Sequence, residues 1–289
     1  MLKSLKNACF SLPQYGLPQH ALSRIIHHLT RCEIKWWKNL AIRSVVSLYR
    51  VDLSEARQEN YSAYRSFNQF FTRELKQSVR PIQRDDRVVI SPADGAISQI
   101  GTIDEKRIMQ AKNRLFNLVE LLGGGPELAA PFEGGKFATI YLSPRDYHRL
   151  HMPCSGTLRE MRHIPGRLFS VNGATTDFVP DLFAKNERVI ATFATPVGRM
   201  ALILVGAIFV SSIETVWHGV VTPPTCAAIR TWNYEDNPLA LTQGQEMGRF
   251  NMGSTIIVLF ESGRMAWSPR LEADTPVKMG QLIGTALIR

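Results

Sequence analysis

The sequence predicts an α+β protein: a β-rich, sandwich- or barrel-like body preceded by amphipathic N-terminal helices. Three observations predict it. The 289 residues are 45% hydrophobic and 20% charged, which supplies a sizeable core and argues against disorder. The formal charge of +9 is uneven. Residues 1–50 hold eight basic side chains against Glu33 alone, a local charge of +7, and the rest of the chain is close to neutral. From about residue 80, short runs of β-formers alternate with Gly and Pro punctuation. The expected division is a helical, basic region over 1–75 and a β-rich domain over 76–289.

Taken in order, the N-terminal segment comes first. Lys3 and Lys6 imitate the start of a secretory signal, but Pro13 and Pro18 interrupt the residues after them and no apolar stretch appears. Ile34–Tyr49 reads as a helix with Ile34, Trp37, Ala41, Val45 and Leu48 on one face. Lys35, Asn39, Arg43 and Arg50 fall on the other. That combination suits an anionic lipid surface, and it equally suits an ordinary surface helix packed on a core. Tyr64–Leu75 reads as a second helix whose stripe of Phe67, Phe70, Phe71 and Leu75 belongs in the core.

Strands are expected at Val88–Ile90, Ala96–Ile100, Phe137–Leu142, Val189–Phe193, Met200–Val205, Ala207–Ile213, Thr255–Phe260 and Gln281–Ile288. Short helical pieces are expected at Ser54–Arg57 and Leu115–Leu122. Uncharged stretches such as Ala201–Ile213 are too short and too rich in β-formers to span a bilayer as a helix. The chain is therefore expected to lie on a membrane rather than cross it. Cys9, Cys32, Cys154 and Cys226 form no CxxC pair and read as reduced thiols in a cytosolic setting. Nucleic acid fits poorly, because no zinc motif, helix-turn-helix or aromatic-laced basic patch is evident.

Three stretches could carry chemistry. Asp94-Gly95 lies between two expected strands and is first of all a turn dipeptide. His148 and His151 come after a strand at a spacing that suits a metal or acid–base chemistry, although no third metal ligand is obvious. Met252-Gly253-Ser254-Thr255 enters an apolar strand. It reads as a turn, but it also has what self-cleavage needs: an unhindered glycine carbonyl and, next to it, a hydroxyl.

These stretches belong to a longer ordered pattern. It consists of SPADG around Asp94, YLSPRDYHRLHMP (Tyr141–Pro153), PGRLFSVN (Pro165–Asn172), LFAKNERV (Leu182–Val189), VGAIFVSSIETVW (Val205–Trp217) and GQEMGRFNMGST (Gly244–Thr255). Together with FNQFFTRELKQSVRPI (Phe67–Ile82) it resembles the bacterial phosphatidylserine decarboxylases from about Tyr49 to Ile288. One departure is visible. The family commonly has Leu-Gly-Ser-Thr at its cleavage motif, and here Met252 replaces the leucine, an apolar swap away from the reacting atoms.

The resemblance implies a proenzyme that cuts itself between Gly253 and Ser254 into chains 1–253 and 254–289. It implies that Asp94, His151 and Ser254 form the charge relay for that cut, and that Ser254 becomes a covalent pyruvoyl group. It also implies that this ketone forms a Schiff base with phosphatidylserine and releases phosphatidylethanolamine, with His148 contacting substrate or donating a proton. No metal is implied. The implied partners are the lipid substrate, an anionic membrane surface and the two cut chains as a heterodimer, with higher assembly open. The implied location is the cytoplasmic face of the cell membrane, held peripherally. Three other readings compete: a serine hydrolase with an Asp94–His151–Ser254 triad acting on an external ester or peptide, a zinc hydrolase using His148 and His151, and a non-enzymatic lipid-surface adaptor.

Overall fold

The computed structural model describes residues 2–287 apart from 83, 112–113, 209–211, 224–226 and 253. For residues 2–5 and 254 it describes the backbone alone. Cys226 and Gly253 thus lie outside the described residues.

The body is built on one antiparallel sheet of nine strands among the described residues. Across most of it the spatial order is Arg230–Asn233, Gly156–Ile164, Arg188–Thr195, Gly198–Val205, Ser254–Phe260, Lys136–Leu142, Gly95–Thr102 and Pro276–Val277. Ser254–Phe260 lies in the middle, paired with Lys136–Leu142 on one side and Gly198–Val205 on the other. Its side chains alternate between two cores. Ile256, Val258 and Phe260 enter one, beside Leu150, Met152, Phe193 and Phe250. Ile257 and Leu259 enter the other, beside Phe132, Phe169 and Phe183. Each fully buried side chain of this kind contributes about 1.5–3 kcal/mol, so the strand is held from both faces. The mixed helix and strand content bears out the α+β expectation. The sheets stay open rather than closing into a barrel.

The expected strands are found, but Gln281–Ile288 is shortened to Leu282–Ala286 and another is displaced. The sequence predicts a continuous Ala207–Ile213, but the strand there is Ile213–Thr215, Ala207 and Ile208 are not in a strand, and 209–211 lie outside the described residues. Leu115–Leu122 divides into a strand, Arg114–Asn117, and a short helix, Leu118–Leu121. Asn117 ends the strand by capping that helix, its side chain accepting from the Val119 N–H.

The N-terminal helices hold two surprises. Leu2–Ser11, Pro13–Gly16 and Gln19–Arg31 are all helical, whereas the prolines argue for interruption. Pro13 sits in the first turn of its helix, where its missing N–H costs nothing. The helix Lys35–Tyr49 is where periodicity puts it, and Ala41 and Val45 of the expected face pack on the core, but the rest of the buried face is different. Lys38 and Ile42 are buried, while Ile34 and Leu48 are exposed. Contact with the Phe67–Phe71 helix sets the rotation, and Lys38 Nζ is satisfied by the Ser62 carbonyl and Asn39 Oδ1 at 2.8 Å each.

The second expected helix is shorter than Tyr64–Leu75. Ser66 caps it and Phe71 ends it. Leu75 leaves the helix to bridge Ala56. Phe67, Phe70 and Phe71 are buried with Ile42, Val51 and Tyr64 in a third apolar cluster, and Met252 packs against it.

Candidate active site

Of the expected cleavage motif, Met252 and the Ser254 backbone lie where the N-terminal cluster meets the end of the central strand. The Ser254 backbone is registered opposite Leu142. The approach to it is tied down: the Phe250 N–H donates to the His148 carbonyl at 3.0 Å, and the Asn251 N–H to the Ser212 carbonyl at 2.9 Å. Met252 has φ of 140°, a conformation side-chain-bearing residues rarely adopt. Holding it costs on the order of 1–3 kcal/mol, and such strain is concentrated at reactive segments. Beside it lies a cavity of about 260 Å³ lined by Phe71, Tyr141, Leu142, Ser170, Asn172 and Met252.

Asp94 precedes the strand Gly95–Thr102, which pairs with Lys136–Leu142, so Asp94 and Ser254 sit at the same end of the sheet with one strand between. Two inter-strand spacings put their backbones roughly 10 Å apart. The Asp94 carboxylate is buried. Arg80 Nη2 donates to Oδ2 at 2.6 Å, Arg80 Nε to Oδ1 at 3.3 Å, and the Met279 N–H to Oδ1 at 2.7 Å. Arg80 also pairs with Glu55 at 2.8 Å. Burial alone would lower the Arg80 pKa, but these two carboxylates outweigh it and raise it.

His151 is 9% exposed. Its Nδ1 lies 2.8 Å from the Gly244 carbonyl, which can only accept, so the proton is on Nδ1. Nε2 then carries the lone pair and accepts from the Tyr147 hydroxyl at 3.0 Å. Burial lowers the His151 pKa, and it also raises that of Tyr147, which stays a donor. Triad logic expects a carboxylate on Nδ1. Here a backbone carbonyl fills that position, and Asp94 acts on His151 through space, its charge opposing the effect of burial. The two are still neighbours, since the His151 N–H donates to the Pro92 carbonyl at 2.9 Å.

His148 is fully buried, with its ring centroid 4.1 Å from that of Phe71, a wall of the cavity beside Met252. Nδ1 donates to the Asp146 carbonyl at 2.8 Å, and Nε2 has no partner. Burial pushes its pKa down to about 3, so the imidazole is neutral with a bare lone pair on Nε2. His148 and His151 engage different partners, and no group of three or more metal-ligating side chains occurs among the described residues.

Sequence reasoning missed Tyr147, Arg80 and Gly244. Tyr147 lies inside the motif Tyr141–Pro153, but its contact with His151 depends on how the chain turns between Leu142 and Arg149. The partnerships of Arg80 and Gly244 depend on distant segments meeting. Cys154 is a small buried hydrophobe as expected, its thiol pushed up to about 12 by burial. A separate cavity of about 560 Å³, lined in part by Arg159, Thr195, Gly198 and Arg199, opens at the far end of the sheet and touches none of the candidate residues.

Residues 67–285 match the sequence model of a family described as phosphatidylserine decarboxylase, and residues 9–50 match a second one described as PSD. The chain is 52% identical to a phosphatidylserine decarboxylase proenzyme from Pseudomonas fluorescens, over 98% of this chain and 99% of that protein. It is also 52% identical to a protein of the same description from Methylococcus capsulatus, over 99% of each.

Proposed function

Since the chain belongs to the phosphatidylserine decarboxylase family, and so decarboxylates phosphatidylserine, we propose that it does so through a pyruvoyl group made by cutting itself between Gly253 and Ser254. The observation that carries this reading is the place of Ser254. It opens a central strand whose next six residues are locked between two neighbours, beside a strained Met252 and a cavity. A cut there leaves the new N-terminus fixed in the sheet.

The cut begins when Tyr147 gives way and His151 Nε2 takes the Ser254 hydroxyl proton, and the oxygen attacks the Gly253 carbonyl. The C–O bond forms and the amide C–N bond breaks, leaving an ester and an amine. Loss of the Ser254 α-proton and of the Gly253 carboxylate gives dehydroalanine. Water then replaces its nitrogen, ammonia leaves, and the pyruvoyl ketone remains. Asp94, held by Arg80, biases His151 toward accepting the proton.

A pyruvoyl group at position 254 would supply an electrophilic carbonyl for the substrate amine and an acceptor for the electron pair released with CO₂. The chain's own residues do the rest. Phe71, Tyr141 and Leu142 keep water from the carboxylate, which favours its loss. A histidine with a pKa of about 3 is a poor donor at neutral pH, so His148 Nε2 is better suited to accept from the substrate amine.

The same reading puts the protein peripherally on the cytoplasmic face of an anionic membrane, with 1–75 as the docking region and 76–289 as the catalytic domain. The N-terminal helices turn several polar side chains inward and several apolar ones outward, although Ile42 is buried. Gln14, Gln19, Ser23 and Lys38 are buried, while Phe10, Leu12, Ile25, Trp36, Leu40 and Leu48 are exposed. No helix among the described residues is long and apolar enough to cross a membrane. An inside-out surface with a local charge of +7 suits an interface of acyl chains and anionic headgroups.

Intact mass spectrometry of purified protein tests the proposal, together with CO₂ release from phosphatidylserine in mixed micelles. The parent should give two chains meeting at 253/254, the smaller with a blocked N-terminus, and hydroxylamine should abolish its activity. Ser254→Ala should stay whole and inactive. A whole, active parent chain would sink the reading.

A further inference from the structure

Arg73 is a buried cation to which neither the cut nor the decarboxylation gives a role. It comes just after the Phe67–Phe71 helix and is 4% exposed. Nη2 donates to the Arg145 carbonyl at 3.0 Å and, more loosely, to the Asp146 carbonyl at 3.5 Å. Nε and Nη1 are buried without partners, and no carboxylate among the described residues is within ion-pair distance. A cation kept in that state opposes folding, so its presence calls for a functional account.

Its surroundings supply one. The Asp146 carbonyl that Arg73 approaches is the one that takes the Nδ1 proton of His148. Arg73 lies over the Phe70 ring at 5.6 Å, and His148 packs on Phe71 at 4.1 Å, so the two side chains meet consecutive rings of one helix. The segment between them is a closed turn: the Asp146 N–H donates to the Ser143 carbonyl at 2.8 Å, and the Ser143 N–H to Asp146 Oδ2 at 2.7 Å. Arg73 thus clamps, from the N-terminal cluster, the turn that sets the direction of the His148 ring.

We propose that Arg73 is a positioning residue for the decarboxylation: it holds the Arg145–Asp146 carbonyls so that His148 spends its Nδ1 proton on Asp146 and presents Nε2 to the substrate. The inference rests on His148 being the substrate contact. The charge of Arg73 works in the same direction as the clamp, because a cation beside the imidazole opposes a second proton on it. Among the described residues, Arg73 is the one charged side chain acting on His148, the Asp146 carbonyl being its other partner. Tyr64, Asp94, Asp146 and Glu55 act in turn on Arg73.

Two variants separate the clamp from the charge, assayed as full chains on phosphatidylserine in mixed micelles. Arg73→Lys keeps the charge but replaces the planar, pre-organised guanidinium with a shorter, freely rotating ammonium, and Arg73→Met loses both. Each should still self-cleave. In each, kcat should fall about tenfold or more with KM nearly unchanged, as expected when alignment rather than ground-state binding is lost. The acidic limb of the kcat profile should move to higher pH in Arg73→Met and stay in place in Arg73→Lys.

A matured Arg73→Met with the parental kcat and pH profile would overturn the proposal, and so would a change in KM alone. His148→Ala is the control: full activity there would remove the reading of His148 itself and leave Arg73 without an object. Should an Arg73 variant fail to mature, NMR titration of the His148 imidazole in the uncut Ser254→Ala chain decides. The titration should lie higher with Arg73→Met than with Arg73→Lys, and equal values would defeat the proposal.

Discussion

At the scale of single residues, the proposed cut calls for a neutral His151 whose Nε2 can take a proton. His151→Ala should slow maturation on the order of 10²-fold or more, the usual worth of a positioned base. Asp94→Asn should slow it less, because Gly244 rather than Asp94 fixes the tautomer. Time courses of chain appearance on denaturing gels measure both, and equal effects would restore the direct carboxylate–imidazole pairing of a triad. A second prediction concerns acid. His148 titrates at about 3 in the fold and at about 6.5 when unfolded. Between those values the unfolded chain binds the extra proton, so stability is full above pH about 6.5 and falls as pH drops toward 3. Urea midpoints of the uncut Ser254→Ala chain should decline across that window, and less steeply in its His148→Asn derivative. An unchanged slope would mean that His148 is solvated. Asp94, His148, His151 and Ser254 could be picked out in the sequence because motif order carries them. Their partners could not, because Arg80 and Gly244 reach them across 14 and 93 residues of chain.

At the scale of elements, the inverted N-terminal helices are the most informative. Periodicity locates Lys35–Tyr49 but cannot say which stripe faces inward, since a helix with apolar residues on several sides leaves its rotation to its neighbours. The outcome separates cations that the charge pattern treats alike. Lys35→Glu with Arg43→Glu should weaken binding to anionic vesicles, at about 1 kcal/mol per charge at low salt, and leave self-cleavage intact. Lys38→Glu should instead destabilise the fold, because its amine is buried on the Ser62 carbonyl and a carboxylate cannot donate there. Vesicle sedimentation and thermal melts distinguish the two, and parental sedimentation by the double variant would remove the helix from the membrane contact. The central strands were easier to read. Ile256–Phe260 is an unbroken apolar run, and a strand buried on both faces leaves that signature whatever lies beside it.

At the scale of the whole molecule, the helices and the body form one object. Gln19 Oε1 accepts from the Leu168 N–H at 2.9 Å and Gln14 Oε1 from the Ser170 N–H at 2.8 Å, which ties the outward-facing helices to a wall of the cavity beside Met252. Separate regions could be read from composition, but this stitching could not, because two glutamines in a basic segment carry no sign of what they cap. The place of Ser254 in mid-sheet has a last consequence, which concerns time. Before the cut, the strand Ser254–Phe260 is covalently tethered, and its effective concentration beside its neighbours is in the millimolar range or higher. After the proposed cut, the same strand would belong to a separate 36-residue chain, and regaining the fold would become a second-order event. The native state is then protected by the height of its unfolding barrier rather than by its equilibrium. Dilution from urea should therefore return the Ser254→Ala chain to its native state at any protein concentration. The mature enzyme should recover activity poorly, and more poorly the further it is diluted. On the proposed cut, folding comes first and cutting second, and the molecule would then keep a structure that its pieces no longer readily find.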